Sequence, residues 1–256
     1  MTSAPTRLGT LAWVERTGGQ LSSSERRALF RALVKVHAAS VHGKTARVLR
    51  VNAGRRDRVS ADAMRLPTSM LTSAAEREAN AVLSPAMLHH SYRTYLFGSA
   101  VGHRQHVDVD RELLFAASML HAIGLIQPVT DVDCTLAGAT TALRVAEAVG
   151  LSTAATQVLR NAICLHHSPD VSLTVDGGVA YLLAVGVAVD VAGYRSWLLP
   201  RGLLDTVVAD YPRHGFGNEL AGALATEAAA VPRGRVRLVR RYGALDLAIR
   251  HTPFPD

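Results

Sequence analysis

The chain has 256 residues, of which 48% are hydrophobic and 19% charged, and its formal net charge is +7. This composition predicts a compact globular protein with a buried core. Its two cysteines, Cys134 and Cys164, lack CxxC spacing, which excludes a Cys-rich zinc site and argues against a disulfide framework. No segment has the pattern of a signal peptide or the roughly 18 apolar residues of a membrane span, so we expect a cytoplasmic protein without a membrane partner.

The positive charge is concentrated in two arginine-rich runs, residues 55–58 and 233–241. Aromatic residues make up only 5% of the chain, and none interleaves these runs as they would in a platform for single-stranded nucleic acid. We therefore expect solvated faces or interface rims and no nucleic-acid partner. Formation of a homo-oligomer is left open.

Helical signals follow one another along the chain. The predicted helices cover residues 22–42, a segment starting at 73, and residues 85–102, 110–124, 135–149, 152–166 and 179–191. The first two begin at capping boxes, and Ser84–Pro85 combines an N-cap with proline at the first helical position. Gly124, Gly150 and Gly193 are predicted to end helices. Residues 43–70 are expected to form a loop with a short helix.

Hairpin signals, Gly-rich phosphate loops and repeats are not found in this series. The predicted fold is therefore all-α, a single helical bundle. We assign residues 1–72 to an N-terminal helical and loop extension packed on the core, and residues 73–256 to the main helical domain.

Three polar residues interrupt apolar helical segments: His90, His121 and Asp190. Two imidazoles and a carboxylate from three helices form a sensible ligand set for Zn²⁺, Fe²⁺ or Mn²⁺. Each residue taken singly has a plainer explanation. A histidine on an apolar face is usually a satisfied core residue, and Asp190 could cap a helix or pair with Arg93 or Arg195.

Two neighbouring features have the same ambiguity. Asp131 and Asp133 lie after the His121 segment. The simpler explanation is that they cap a helix, and the functional one is that they line the pocket. His166 and His167 could add a ligand if their loop folds inward, although we expect His167 to face solvent.

Four segments in this order resemble the HD-domain superfamily, whose members are all-α metal-dependent hydrolases with the ligand series His, His-Asp, Asp. The segments are residues 90–98, 113–125, 162–166 and 189–193. The form His-Ser-x-Arg-x-Tyr-x-Phe-Gly in the first segment looks most like the cyanamide hydratase branch. The resemblance covers residues 84–193 and implies that residues 73–256 are an HD-like domain.

The resemblance also implies roles for individual residues. His90, His121 and Asp190 would bind the metal, and His166 would lie near the pocket as a proton carrier, because its pKa is near neutrality. Arg93 would be a structural partner next to the ligands.

The chain departs from the family pattern at Ala122, where an aspartate is expected beside His121. Aspartate would bind the metal and hold the attacking water, so alanine removes a ligand and a base together. We expect weaker metal binding and low turnover. A natural loss of the aspartate and a substitution introduced to disable an enzyme both explain Ala122, and the intact neighbouring motif favours the second.

The leading hypothesis is a metal-dependent hydratase or hydrolase that adds water to a small polar substrate. A second hypothesis is a metal-free, HD-like ligand-binding or regulatory module. A third is an oxygen-using Fe²⁺ enzyme on the remaining two-histidine, one-carboxylate set.

Overall fold

The computed structural model describes residues 6–49, 51–52, 54, 58–126 and 128–255. Within these residues the chain forms twelve α-helices and no β-strand, so the predicted all-α, single-domain fold is confirmed. The helices are α1 (Leu11–Thr17), α2 (Ser23–Val48), α3 (Met70–Val82), α4 (Pro85–Arg104), α5 (Arg111–Leu120), α6 (Cys134–Ala148), α7 (Thr153–Leu165), α8 (Leu173–Ala192), α9 (Arg201–Asp210), α10 (Phe216–Ala230), α11 (Arg235–Tyr242) and α12 (Leu245–Arg250).

For the seven helices predicted from the sequence, most boundaries follow the predicted local signals, whereas α1 and α9 to α12 were not predicted. The side chains of Ser84, Asp110 and Ser152 accept backbone N–H bonds in the first turns of α4, α5 and α7. Gly150 and Gly193 follow α6 and α8 with φ of +69° and +63°, the left-handed conformation expected after a helix. These ends depend on groups only a few residues apart, which explains why sequence patterns predict them.

Helix α2 is longer than predicted, because it continues through Gly43 to Val48. A Cβ at Gly43 would collide with the ring of Trp197. Gly43, just after the predicted end of the helix at residue 42, therefore lets the indole approach the helix, and this tertiary contact outweighs the low helix propensity of glycine.

The ends of α3 and α5 also differ from prediction. Helix α3 starts earlier than expected, because Ser69 and not Ser73 forms the capping box, with Thr72. Gly124 does not end α5. It lies in a 3₁₀ turn, residues 123–125, where a Cβ would collide with the carbonyl oxygen of Cys134.

Helices α4 and α8 cross at the centre of the molecule, and glycines let their backbones approach. A Cβ at Gly98 would lie 2.6 Å from the carbonyl oxygen of Leu182, and one at Gly186 would collide with the carbonyl oxygen of Thr94. The close crossing brings polar side chains of the two helices into direct contact.

By length and composition, α8 is the one helix among the described residues that could span a membrane, and 56% of its most apolar window is buried inside the protein. It is bent at Gly177, whose φ of +79° and ψ of 170° are not helical. Neighbouring helices α4, α5, α7 and α12 pack against it. The apolar run of α8 therefore packs in the core of the described protein.

Candidate active site

His90 on α4 and Asp190 on α8 form a buried contact at the helix crossing. Nδ1 of His90 lies 2.6 Å from Oδ2 of Asp190, and the two side chains are 2% and 0% exposed. An ionised carboxylate only accepts hydrogen bonds, so His90 donates through Nδ1. Its Nε2 then carries a lone pair.

Two arginines neutralise Asp190. Nε and Nη2 of Arg93 donate to its Oδ1 and Oδ2 over 2.7 and 3.0 Å, and Nη1 of Arg213 donates to Oδ1 over 2.7 Å. Burial alone raises the pKa of Asp190, but Arg93, the His90 hydrogen bond and Arg213 together hold this pKa well below its ordinary value. Asp190 is therefore ionised, and both of its oxygens accept hydrogen bonds from the chain.

His121 and His166 directly follow helices α5 and α7 and use the same local contact. Nδ1 of His121 lies 2.8 Å from the carbonyl oxygen of Ser118, and Nδ1 of His166 lies 2.6 Å from that of Ile163. The last carbonyls of a helix lack intrahelical donors, so a histidine at this position satisfies one of them. Since a carbonyl only accepts, both histidines donate through Nδ1 and keep a lone pair on Nε2.

The Nε2 atoms of His90 and His121 lie 3.1 Å apart. The ring of His166 stands edge-on to that of His121, with 5.0 Å between the ring centres. In the tautomers that their Nδ1 contacts require, His90 and His121 direct two lone pairs at each other. These lone pairs cannot form a hydrogen bond unless a proton or another cation comes between them.

A proton does not readily bind between Nε2 of His90 and Nε2 of His121. Burial lowers the pKa of His90, even though Asp190 opposes the shift. Burial also lowers the pKa of His121 and His166 well below 6.5, and neighbouring histidines lower both further. The three imidazoles are therefore neutral at neutral pH, in the form that binds metals.

The distance between the two nitrogens fits a metal ion. Zn–N bonds of about 2.0–2.1 Å at angles of about 90–110° place two ligand nitrogens about 2.8–3.4 Å apart. The 3.1 Å separation lies within this range. Hydrogen bonds from Nδ1 to a carboxylate or carbonyl are also the usual outer contacts of metal-binding histidines.

Asp190 lies on the Nδ1 side of His90, away from the nitrogen that meets His121. Ala122 is completely buried beside His121, at the start of the 3₁₀ turn. The structure thus brings the predicted residues into one buried cluster, with Asp190 behind His90.

No protein-family model and no curated protein matches this chain. The likeness to HD-domain proteins therefore depends on the sequence segments given above.

A second group, Asp133, Cys134 and His167, could hold a metal ion, because its ligand atoms all lie within 4.8 Å of one another. Asp133, however, already accepts two bonds from Arg235, over 3.1 and 2.9 Å. Burial, with the charges of Asp133 and Glu227, raises the pKa of the Cys134 thiol well above its ordinary value. The guanidinium of Arg235 already neutralises Asp133, which disfavours a second cation there, whereas the buried Nδ1 of His167 has no hydrogen-bond partner among the described residues.

Asp133 also confirms the plainer of its two predicted functions. Its Oδ1 accepts the backbone N–H and the hydroxyl of Thr135, and so caps α6. Cys134 and Cys164 are buried and free.

A cavity of about 250 Å³ adjoins the histidine cluster. His90, His121, His166 and His167 line one part of it, and mainly apolar side chains, many of them from α2, α8, α10 and α11, line the rest together with Arg195. The expectation that His167 faces solvent is wrong. Its ring contacts that of His166 at 4.0 Å between centres, and its buried Nδ1 has no hydrogen-bond partner among the described residues.

Sequence patterns missed three residues around the cluster. Arg213 lies in a Pro- and Gly-containing loop, where arginine is usually solvated, yet it is buried against Asp190. Phe216 stacks on His90, with ring centres 4.7 Å apart. Arg235, at the Asp133 group, belongs to a run predicted to be solvated, but it is completely buried and pairs with Asp133 over 2.9 Å.

Of the two arginines proposed as partners of Asp190, the structure confirms Arg93 only. Arg195 instead donates to the hydroxyl of Tyr181 over 2.8 Å and lies across its ring.

Proposed function

We propose that this protein is a metal-dependent enzyme that adds water to a small molecule, as a hydratase or hydrolase, with the metal on His90 and His121. The observation that supports this proposal is the pair of Nε2 lone pairs held 3.1 Å apart. Three further features agree with it: neutral imidazoles, Nδ1 protons fixed by acceptors, and an adjoining cavity.

The chain supplies orientation and a base. Asp190 holds the ring of His90 through Nδ1, and Arg93 and Arg213 keep Asp190 ionised. We therefore assign Asp190 a positioning role in place of the ligand role that the resemblance implies. His166 lines the cavity with its Nδ1 proton committed to a carbonyl, so Nε2 is the atom that would accept a proton from water. Burial lowers the pKa of His166 well below 6.5, so it would be a weaker base than the near-neutral proton carrier that the resemblance implies.

A bound Zn²⁺, Fe²⁺ or Mn²⁺ would polarise the substrate and lower the pKa of a water molecule to about 7. Ala122 contributes no ligand atom, and both oxygens of Asp190 are already hydrogen-bonded. Two histidines alone are a weak set of ligands, so we expect low metal affinity and low turnover.

The lack of a ligand atom at Ala122 and the hydrogen-bonded oxygens of Asp190 favour a second candidate function. It is a metal-free module that binds a small ligand in the cavity. An oxygen-using Fe²⁺ enzyme has less support, because its facial triad needs a carboxylate oxygen from Asp190.

Metal titration separates the two candidates. We expect Zn²⁺, Fe²⁺ or Mn²⁺ to bind the wild-type protein in calorimetry and elemental analysis, and His121→Ala to bind at least tenfold more weakly. His103→Ala is the matched control, since His103 is exposed on the same helix as His90. Activity is then measured with cyanamide and with phosphoesters.

The outcomes are distinct. If no metal binds, the enzyme proposal is wrong and the binding module remains. If Cys134→Ser removes binding while His121→Ala retains it, the metal lies in the Asp133 group, and the proposed site is wrong.

A further inference from the structure

We infer that the substrate of this site has an apolar body of several carbon atoms that lies along α8, with only its reacting group at the histidines. The inference rests on the proposed function and specifies its substrate class. Three features of the cavity support it: its volume, the side chains along its walls and the way their polar atoms are satisfied.

The volume exceeds what a very small polar substrate needs. A water molecule takes up about 30 Å³ of liquid, so a cavity of about 250 Å³ holds several times the volume of a three-heavy-atom molecule such as cyanamide. Such a substrate would leave most of the apolar wall exposed to water, which is unfavourable.

The walls are apolar at regular helical spacing. Ala184 and Ala188 lie one turn apart on α8 and face the cavity, while Asp190 points towards α4. The short methyl groups of these two alanines provide the space. Leu33 and Val36 of α2 line the cavity as well, so both helices offer hydrocarbon surface to a bound chain.

The protein itself satisfies the hydroxyls of Ser40 and Tyr181 in these walls. The hydroxyl of Ser40 donates to the carbonyl oxygen of Val36 over 2.7 Å. The hydroxyl of Tyr181 accepts from Arg195 over 2.8 Å and donates to Gln105 over 3.0 Å. Apart from the histidines and the partly buried Arg195, the cavity therefore offers mainly apolar surface to a ligand.

Binding of straight-chain nitriles, from acetonitrile to octanenitrile, tests the inference. Affinity is measured on metal-free protein by ligand-observed NMR, so the readout depends on neither metal nor turnover. We expect about a fourfold gain per methylene until the cavity is full.

Ala188→Phe should abolish the gain for the longer chains and leave the affinity for acetonitrile unchanged. Ala154→Phe, at an exposed position of α7, is the matched control and should behave as wild type. Ala184→Leu is a smaller change on the same wall and should give an intermediate limit on chain length. It replaces Ala188→Phe in the test if circular dichroism shows that Ala188→Phe does not fold.

Affinity that is independent of chain length, or an unchanged profile in both wall variants, would overturn the inference. Failure of the proposed function would give a different set of results. A chain-length dependence in a protein that binds no metal supports the apolar cavity and contradicts the enzyme, whereas metal binding on His121 without chain-length dependence contradicts this inference alone.

Discussion

Nε2 of His90 and Nε2 of His121 lie 3.1 Å apart, although each ring has already committed its Nδ1 proton to another acceptor. The arrangement has two causes. The close crossing of α4 and α8 places His90 against Asp190, and the end of α5 turns His121 back onto the carbonyl of Ser118. The tertiary contact with Asp190 therefore fixes the ring of His90, and the local contact with Ser118 fixes the ring of His121. Together they direct the Nε2 lone pairs of the two rings at each other.

Replacing Asp190 with asparagine should destabilise the protein strongly. The amide keeps the shape of the side chain but removes the charge that neutralises Arg93 and Arg213, both completely buried. Breaking a buried ion pair costs about 3–5 kcal/mol, to be measured by urea denaturation. Asp205→Asn, in the exposed pair with Arg201, should cost less than about 1 kcal/mol. A similar small loss in Asp190→Asn would show that the pairs contribute little.

Gly186→Ala should force α4 and α8 apart. The new Cβ would collide with the carbonyl oxygen of Thr94, a backbone atom that cannot move away without moving its helix. We expect a loss of about 1–3 kcal/mol in the free energy of unfolding. Gly222→Ala on α10 has open space around the added Cβ and should stabilise by about 0.5–1 kcal/mol. Equal effects of the two substitutions would refute the role of the crossing.

Ala122→Asp tests whether a metal lies beside this residue. Ala122 is completely buried, so in metal-free protein an ionised carboxylate there should lower the melting temperature, at a cost of several kcal/mol. A divalent metal should then raise the melting temperature of this variant more than that of Ala122→Asn, which has the same shape without the charge. Equal metal-induced shifts in the two variants would place the metal elsewhere.

Glu227 gives the stability a specific dependence on pH. Burial raises its pKa to about 7, the N–H of Cys134 opposes the shift and the charge of Asp133 adds to it. Between pH 4.5 and 7 the folded protein holds a proton that the unfolded chain has released. The contribution of Glu227 to the free energy of unfolding therefore falls as pH rises through this range.

Glu227→Gln should remove that fall. The difference in unfolding free energy between wild type and variant is measured from pH 4.5 to 8, and should change by up to about 3 kcal/mol, since one pKa unit is about 1.4 kcal/mol. The buried histidines contribute with opposite sign, because burial lowers their pKa values, and they do so equally in both proteins. Parallel pH profiles would contradict the raised pKa of Glu227.

Local sequence patterns were enough to predict the all-α fold and most ends of the seven predicted helices, but not α1 or the four helices after residue 200. Ser84, Asp110, Ser152 and Gly193 act on backbone groups within a turn of themselves, so their effects do not depend on distant parts of the chain. The sequence also pointed to His90, His121 and Asp190, because each places a polar group in an apolar helix. The unfavourable burial of a polar group in an apolar helix can be recognised from the sequence alone.

Only the tertiary structure decided how those groups are satisfied. Arg213 comes from a loop between α9 and α10, and no local pattern distinguishes it from a solvated arginine, although it completes the neutralisation of Asp190. Similarly, the lone pairs on Nε2 of His90 and His121 follow from Nδ1 partners that folding supplies. Helix ends depend on neighbours in sequence, whereas the partner of a buried charge depends on which distant segments pack around it.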